Sequence, residues 1–212
     1  MAHRIAITQR VEDFPDRGER RDALDQAWTP WITAAGDVPV LVPNRLDDPA
    51  GYAEALGVEA LLLTGGNDLA HLPGAQQPAP ERDATERALL ERARATRLPV
   101  LAVCRGMQML VEFWGGATTR VEGHVAHPHE LAPVPDPGWP LRPGPVNSFH
   151  DWGVTRAGVP DALRVLAVAP DDTVEAVAHT QLTQVGVMWH PERAPADAVD
   201  RALLSALLGA AI

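Results

Sequence analysis

The chain has 212 residues, 46% of them hydrophobic, a formal net charge of −10 and a single cysteine. That length suits one core, so residues 1–212 are taken as a single domain. The acidic balance speaks against a nucleic-acid or anionic-membrane partner, since both require basic surface. One cysteine forms no internal disulfide, the opening MAHRIAIT lacks the apolar core of a signal peptide, and the apolar tract Ala202–Ile212 is too short to span a bilayer. The expected compartment is the cytoplasm.

The elements then follow in chain order. RIAIT (Arg4–Thr8) reads as a short strand, and QRVEDFPDRGER after it as a charged loop. Leu24, Ala27, Trp28, Trp31, Ile32 and Ala35 recur at steps of three and four, one apolar helix face on which the tryptophans are core, and Gly36 stands where a C-cap belongs. VPVLVP (Val38–Pro43) is a strand, AGYAEALG a short helix, and VEALLLTGG a buried strand ending in a glycine turn. Arg82–Arg97 has a long helical pattern, and LPVLAVC is again a run suited to a strand covered on both faces. This βαβα rhythm predicts a mostly parallel sheet with helices on both sides. After WGG the rhythm breaks: Pro133, Pro135, Pro137, Pro140, Pro143 and Pro145 mark a stiff exposed loop. LRVLAVA, TVEAVAH and QVGVMWH read as three strands, partly antiparallel, and Ala196–Leu208 as a closing helix.

The chemistry centres on AVCRGMQ. A strand that stops at Cys104 before the helix-spaced RGMQMLVEFW puts the thiol at a helix N-terminus, where the dipole favours a thiolate. Gly106 is expected to permit the tight turn and leave room for substrate, the geometry of a nucleophile elbow. A buried structural cysteine is the alternative. A thiol nucleophile needs a base and the base an orienting group. Of eight histidines, His190 in GVMWHPER has the best context, because Glu192 lies two residues on and points the same way in extended chain.

Together AVCRGMQ and GVMWHPE resemble the class I glutamine amidotransferase superfamily. The resemblance implies an α/β, flavodoxin-like, mostly parallel sheet with a few antiparallel strands and a Cys104–His190–Glu192 triad. It also implies that the turn in LLLTGGNDL supplies an oxyanion-hole amide at Gly66, alongside the amide of Arg105, with Asn67 beside the substrate. VNSFHDWGV resembles the segment that holds the glutamyl α-amino and α-carboxylate groups, which assigns Asn147, Ser148, Phe149 and His150 to substrate binding, and Gln108 to positioning the glutamyl moiety. CRGMQ and VNSFH are most similar to the γ-glutamyl-γ-aminobutyrate hydrolase branch. ERRDALDQAW and MWHPER resemble enzymes that cleave a γ-glutamyl cytidine diphosphate phosphoramidate. The implied activity is therefore hydrolysis of a small γ-glutamyl amide through a glutamyl thioester. A glutaminase subunit that passes ammonia to a separate synthase partner is the alternative.

Three positions depart from the family pattern: Ala102 stands where glycine is frequent, Met188 where glutamine is, and Asp151–Trp152 where a second histidine and a glutamine are. The last two are expected to reflect a different leaving group. If that group carries phosphates, Arg20 and Arg21, at the predicted start of the first helix, and Arg105 are the candidate partners, Arg21 foremost. His124, His127 and His129 could hold zinc, with His127 and His129 on one strand face, but the chemistry needs neither metal nor cofactor and none is expected.

Overall fold

The computed structural model describes residues 2–135, 137–142, 144–193 and 198–209. The expected strand β1 (Arg4–Thr8) is followed not by a loop but by a hairpin, β2 (Arg10–Phe14) and β3 (Glu19–Ala23), paired antiparallel with Arg10 opposite Ala23. Charge hid it: the exposed β3 carries Glu19, Arg20, Arg21 and Asp22, and a ribbon lying over the surface needs little apolar alternation. The first helix is shorter than its periodicity suggests. α1 spans only Trp28–Thr33, and the chain from Leu24 to Ala27 is a turn around Asp25.

The next elements match the reading closely. They are β4 (Val38–Val42), α2 (Pro49–Ala55), β5 (Ala60–Leu63), α3 (Pro80–Thr96), β6 (Val100–Val103) and α4 (Arg105–Phe113). Pro49 and Pro80 open their helices, where a missing N–H costs nothing. Residues 114–162 hold only paired fragments: β7 (Thr119–Arg120), β8 (His129–Glu130), β9 (Ala132–Pro133), β10 (Pro145–Val146) and β11 (Trp152–Gly153). Pro143 of the proline-rich loop and the first two residues of the predicted last helix lie outside the described residues. β12 (Leu163–Val168), β13 (Val174–His179) and β14 (Gln184–Val187) follow, then α5 (Ala198–Gly209).

The main sheet has the order β4-β1-β5-β6-β14-β13-β12-β9. Its first five strands are parallel and the last three run antiparallel, as the triplet of late strands implied. Side chains alternate across it. Ile5, Ile7, Leu62, Leu101, Val103 and Val187 pack with Trp28, Ile32, Leu203 and Leu207 of α1 and α5. Ala6, Leu61, Leu63, Val100 and Ala102 pack with Ala53, Leu89, Leu90, Met109 and Leu110 of α2, α3 and α4. Each fully buried aliphatic side chain contributes about 1.5–3 kcal/mol. The sheet is therefore clamped from both sides, and the C-terminal ends of β5, β6 and β14 emerge side by side, where open α/β sheets place their ligands.

Candidate active site

Cys104 directly follows β6 and is the residue before α4. It takes φ 53° and ψ −112°, a sparsely populated conformation for a residue with a Cβ. Its amide donates to the Val187 carbonyl at 2.8 Å, and its carbonyl accepts from the Gln108 amide at 3.2 Å. The turn strain thus sits on the cysteine itself. Gly106 has another task than expected: a Cβ there would run into the carbonyl of Leu63, so the glycine lets α4 lie directly against β5.

His190 lies beyond the end of β14, in a chain segment that leads into a single 3₁₀ turn, Pro191–Arg193. Its Nδ1 is 2.7 Å from Glu192 Oε1, and both side chains are almost wholly buried. The Cys104 thiol is in hydrogen-bonding contact with the ring. Burial works against an imidazolium, but the negative sulfur, its hydrogen bond and Glu192 outweigh it and raise His190 to about 9. Asn147 holds the backbone at this point twice, Oδ1 accepting from the His190 amide at 2.8 Å and Nδ2 donating to its carbonyl at 2.9 Å.

The turn at Thr64–Asn67 faces this pair. A Cβ on Gly65 would stand 2.6 Å from His190 Cε1, and Gly66 is left-handed at φ 85°. Among the described residues the Gly66 amide has no acceptor, and Arg105, first residue of α4, has an amide with no intrahelical partner. Arg82 on α3 secures the turn from behind. It donates to the carbonyls of Thr64 (2.6 Å), Gly65 (3.0 Å) and Gly66, and to Asn67 Oδ1 at 3.2 Å. It is fully buried beside Glu86, and burial brings its guanidinium down to about 9, still charged at neutral pH. Arg105 pairs with Asp83 and Glu86, and burial pulls it well below its ordinary value. Two arginines and two carboxylates thus neutralise one another under the turn. Sequence reasoning missed them, although Arg82 and Glu86 share the helical stripe of Leu89, Leu90 and Ala93.

Several expected site residues take other places. The side chain of Arg105 is committed to the buried quartet and cannot reach a ligand. Arg21 is on β3 rather than at a helix start, paired with Glu19 over the Phe14 ring and outside the cleft. Arg20, also on β3, pairs with Asp13 and Glu81. Asn67 spends its amide on Val11 and Gln77. Ser148 donates to the His124 carbonyl at 2.6 Å, and His150 turns away to meet Glu175. Phe149 remains exposed, edge-on to His190 with centroids 6.1 Å apart. Met188 is buried with Met107, Val111 and Val177 behind the sheet, so it senses no leaving group. His124 and His129 do meet, but with His150 and Glu175 rather than with the exposed His127.

The cleft divides at Gly66. One side is lined by Cys104, Gln108, Phe149 and Trp152. Gln108 donates to the Trp152 carbonyl at 2.8 Å, and its Oε1 is buried without a hydrogen bond. The other side is lined by His190 with Arg10, Glu12, Asp25, Trp28 and Arg193. Arg10 and Arg193 are the cationic groups that sequence reasoning did not single out. Arg10 sits in the unforeseen hairpin, and Arg193 one residue past the triad.

A cysteine on a strand-to-helix elbow, with a histidine and a glutamate delivered from the neighbouring strand end, defines a cysteine-dependent hydrolase on a class I glutamine amidotransferase-like fold. The chain belongs to the Peptidase C26 family, whose pattern matches residues 5–136 and 139–192. It is 28% identical over 193 residues to the gamma-glutamyl-CDP-amidate hydrolase of Campylobacter jejuni, covering 89% of this chain and 90% of that protein. It is 31% identical to the gamma-glutamyl-gamma-aminobutyrate hydrolase of Escherichia coli O157:H7, covering 83% and 81%. In fold it is similar to the crystal structure of a GMP synthase component from Thermoplasma acidophilum. That match has a TM-score of 0.73 at 14% identity and covers 100% of this chain and 94% of that one.

Proposed function

We propose that the chain hydrolyses a small γ-glutamyl amide through a glutamyl thioester and releases L-glutamate. The observation that carries this is the split cleft: the sulfur opens towards Gln108 and the base towards Arg10 and Arg193. The glutamyl half then lies against Gln108, whose unpaired Oε1 suits an α-amino group. The Cys104 thiolate attacks the γ-carbonyl, and the amides of Gly66 and Arg105 receive the oxyanion, each such donor worth about 3–4 kcal/mol. The imidazolium gives its proton to the departing nitrogen, then takes one from the water that cleaves the thioester, while Glu192 fixes the tautomer.

On the leaving-group side, Arg10 and Arg193 favour an amide partner with an anionic part, and a γ-glutamyl nucleotide phosphoramidate fits them. They replace Arg21 in that role. Steady-state kinetics on γ-glutamyl cytidine diphosphate phosphoramidate, γ-glutamyl-γ-aminobutyrate and glutamine test this. Arg10→Ala and Arg193→Ala should raise KM for the phosphorylated compound, more at low salt than at high, and Arg21→Ala should not. Equal loss on all three substrates refutes the anionic leaving group, and no turnover of any of them refutes the γ-glutamyl reading.

A further inference from the structure

We propose that His124, His129, His150 and Glu175 form a zinc(II) site, separate from the catalytic groups, that staples the irregular segment 114–153 onto the antiparallel side of the sheet. The four side chains come from distant places. His124 follows β7, His129 is in β8, His150 precedes β11, and Glu175 points from β13. Glu175 Oε1 is 3.7 Å from His124 Nδ1 and 3.6 Å from His150 Nε2, and Oε2 is 3.3 Å from His129 Nε2. The ligand atoms of His124, His150 and Glu175 all lie within 4.8 Å of one another. A tetrahedral zinc with bonds of about 2.0–2.1 Å sets neighbouring ligand atoms roughly 3.3–3.4 Å apart. The spacing is that of a coordination shell, needing shifts of a few tenths of an ångström.

The outer nitrogens decide which atoms face inward. His150 Nδ1 is 3.0 Å from the Trp152 carbonyl, which only accepts, so Nδ1 carries the proton and Nε2 a lone pair. His124 Nε2 is 2.9 Å from Asp171 Oδ2, which leaves the Nδ1 lone pair facing in. Both lone pairs therefore point at a carboxylate oxygen. None of the inward atoms, His124 Nδ1, His129 Nε2, His150 Nε2 and both Glu175 oxygens, has a hydrogen-bond partner, though Glu175 is fully buried and His124 and His150 are 4% exposed. Acceptors converging on a buried carboxylate without donors are costly, and a divalent cation at their centre satisfies all of them. Imidazole and carboxylate are zinc ligands, and the Asp171 and Trp152 contacts are the outer partners that metal-bound histidines usually keep. With four protein ligands the site is closed, so its role is structural. The Trp152 carbonyl accepts from both His150 and Gln108, which ties the staple to the wall of the cleft.

The test uses the full chain as Cys104→Ala, so that the active-site sulfur offers no competing ligand. After stripping with a chelator and dialysis against zinc chloride, elemental analysis should find one zinc per chain, and zinc should raise the melting temperature. Asp171→Asn should weaken zinc binding about 10- to 100-fold. His129→Ala removes the least buried ligand, leaves the strand core intact, and should weaken binding at least as much. Zinc at background level with an unmoved melting temperature overturns the proposal in favour of a protonated histidine–glutamate cluster. One bound zinc that both variants hold as tightly as their parent overturns the ligand assignment.

Discussion

Gly65→Ala isolates the geometry of the catalytic pair. The added methyl would lie 2.6 Å from His190 Cε1, 3.4 Å from Nε2 and 3.5 Å from Cys104 Cβ. Carbon atoms rest about 3.5–4.0 Å apart, so the ring must retreat by about 1 Å. Gly65 does not have a positive φ, so alanine adopts its backbone without strain. The cost therefore falls on the alignment of sulfur and base, where a 1 Å displacement is worth about 100-fold in rate, or about 2.7 kcal/mol. The assay pairs kcat on a γ-glutamyl amide with the rate at which iodoacetamide alkylates Cys104, and a thermal melt shows whether the fold survives. A kcat within about threefold of the parent would sink the argument, because the imidazole would then not stand where alanine obstructs it. Gly66→Ala is the contrasting variant: its φ of 85° puts strain into the backbone, and the melt should show about 1–2 kcal/mol of lost stability.

The raised pKa of His190 makes a pH prediction with a definite sign. Because it lies above the ordinary value of about 6.5, the stability it contributes is complete below about pH 6.5 and disappears as pH rises through about 9. Urea midpoints of the parent and His190→Asn should converge over that window, and a constant gap contradicts it. Glu192→Gln should lower kcat by a large factor, yet less than His190→Asn, which should cost several orders of magnitude; the reverse order, measured in one assay, would reassign the orienting role. Arg82→Met leaves Glu86 buried with one fewer cation, and urea unfolding should show a loss of about 3–5 kcal/mol. A loss below about 1 kcal/mol means the quartet is not what holds the turn.

The parallel half of the sheet was legible because β5 and β6 are short continuous apolar runs and the helices between them carry periodic apolar faces. The triad was legible because Cys104 stands at a strand end and His190 and Glu192 sit two residues apart. What sequence reasoning lost was of two kinds. The β2–β3 hairpin is charged and exposed, so no hydrophobic alternation marks it, and its loss moved Arg21 to a helix start and hid Arg10. Residues 114–162 are held by side-chain contacts rather than by periodic burial. Asn147, Ser148 and His150 therefore looked like ligand groups, although Asn147 and Ser148 bond to backbone and His150 turns from the cleft. Met188 failed for a related reason: beside Trp189 it reads as site-adjacent, but the sheet turns it into the core.

A strained residue persists only where its surroundings over-determine it, since such a conformation costs about 1–3 kcal/mol. At Cys104 the determinants come from both flanking strands. β14 accepts its amide through Val187, β5 receives α4 at Gly106 through Leu63, and Arg82 locks the turn that continues β5. His190 is fixed from two independent directions, by the strand it follows and by Asn147 from the irregular segment. Nucleophile and base thus belong to adjacent strands whose relative register is set by the ladder from Gln184 opposite Val100 to Val187 opposite Val103. The distance between them is a property of the central sheet, the most deeply buried part of the molecule. The substrate-facing walls, Phe149 and Trp152 on one side and Arg10 and Arg193 on the other, come from the hairpin, the irregular segment and the turn after His190. That division lets leaving-group preference change through surface segments while the alignment of sulfur and imidazole stays fixed.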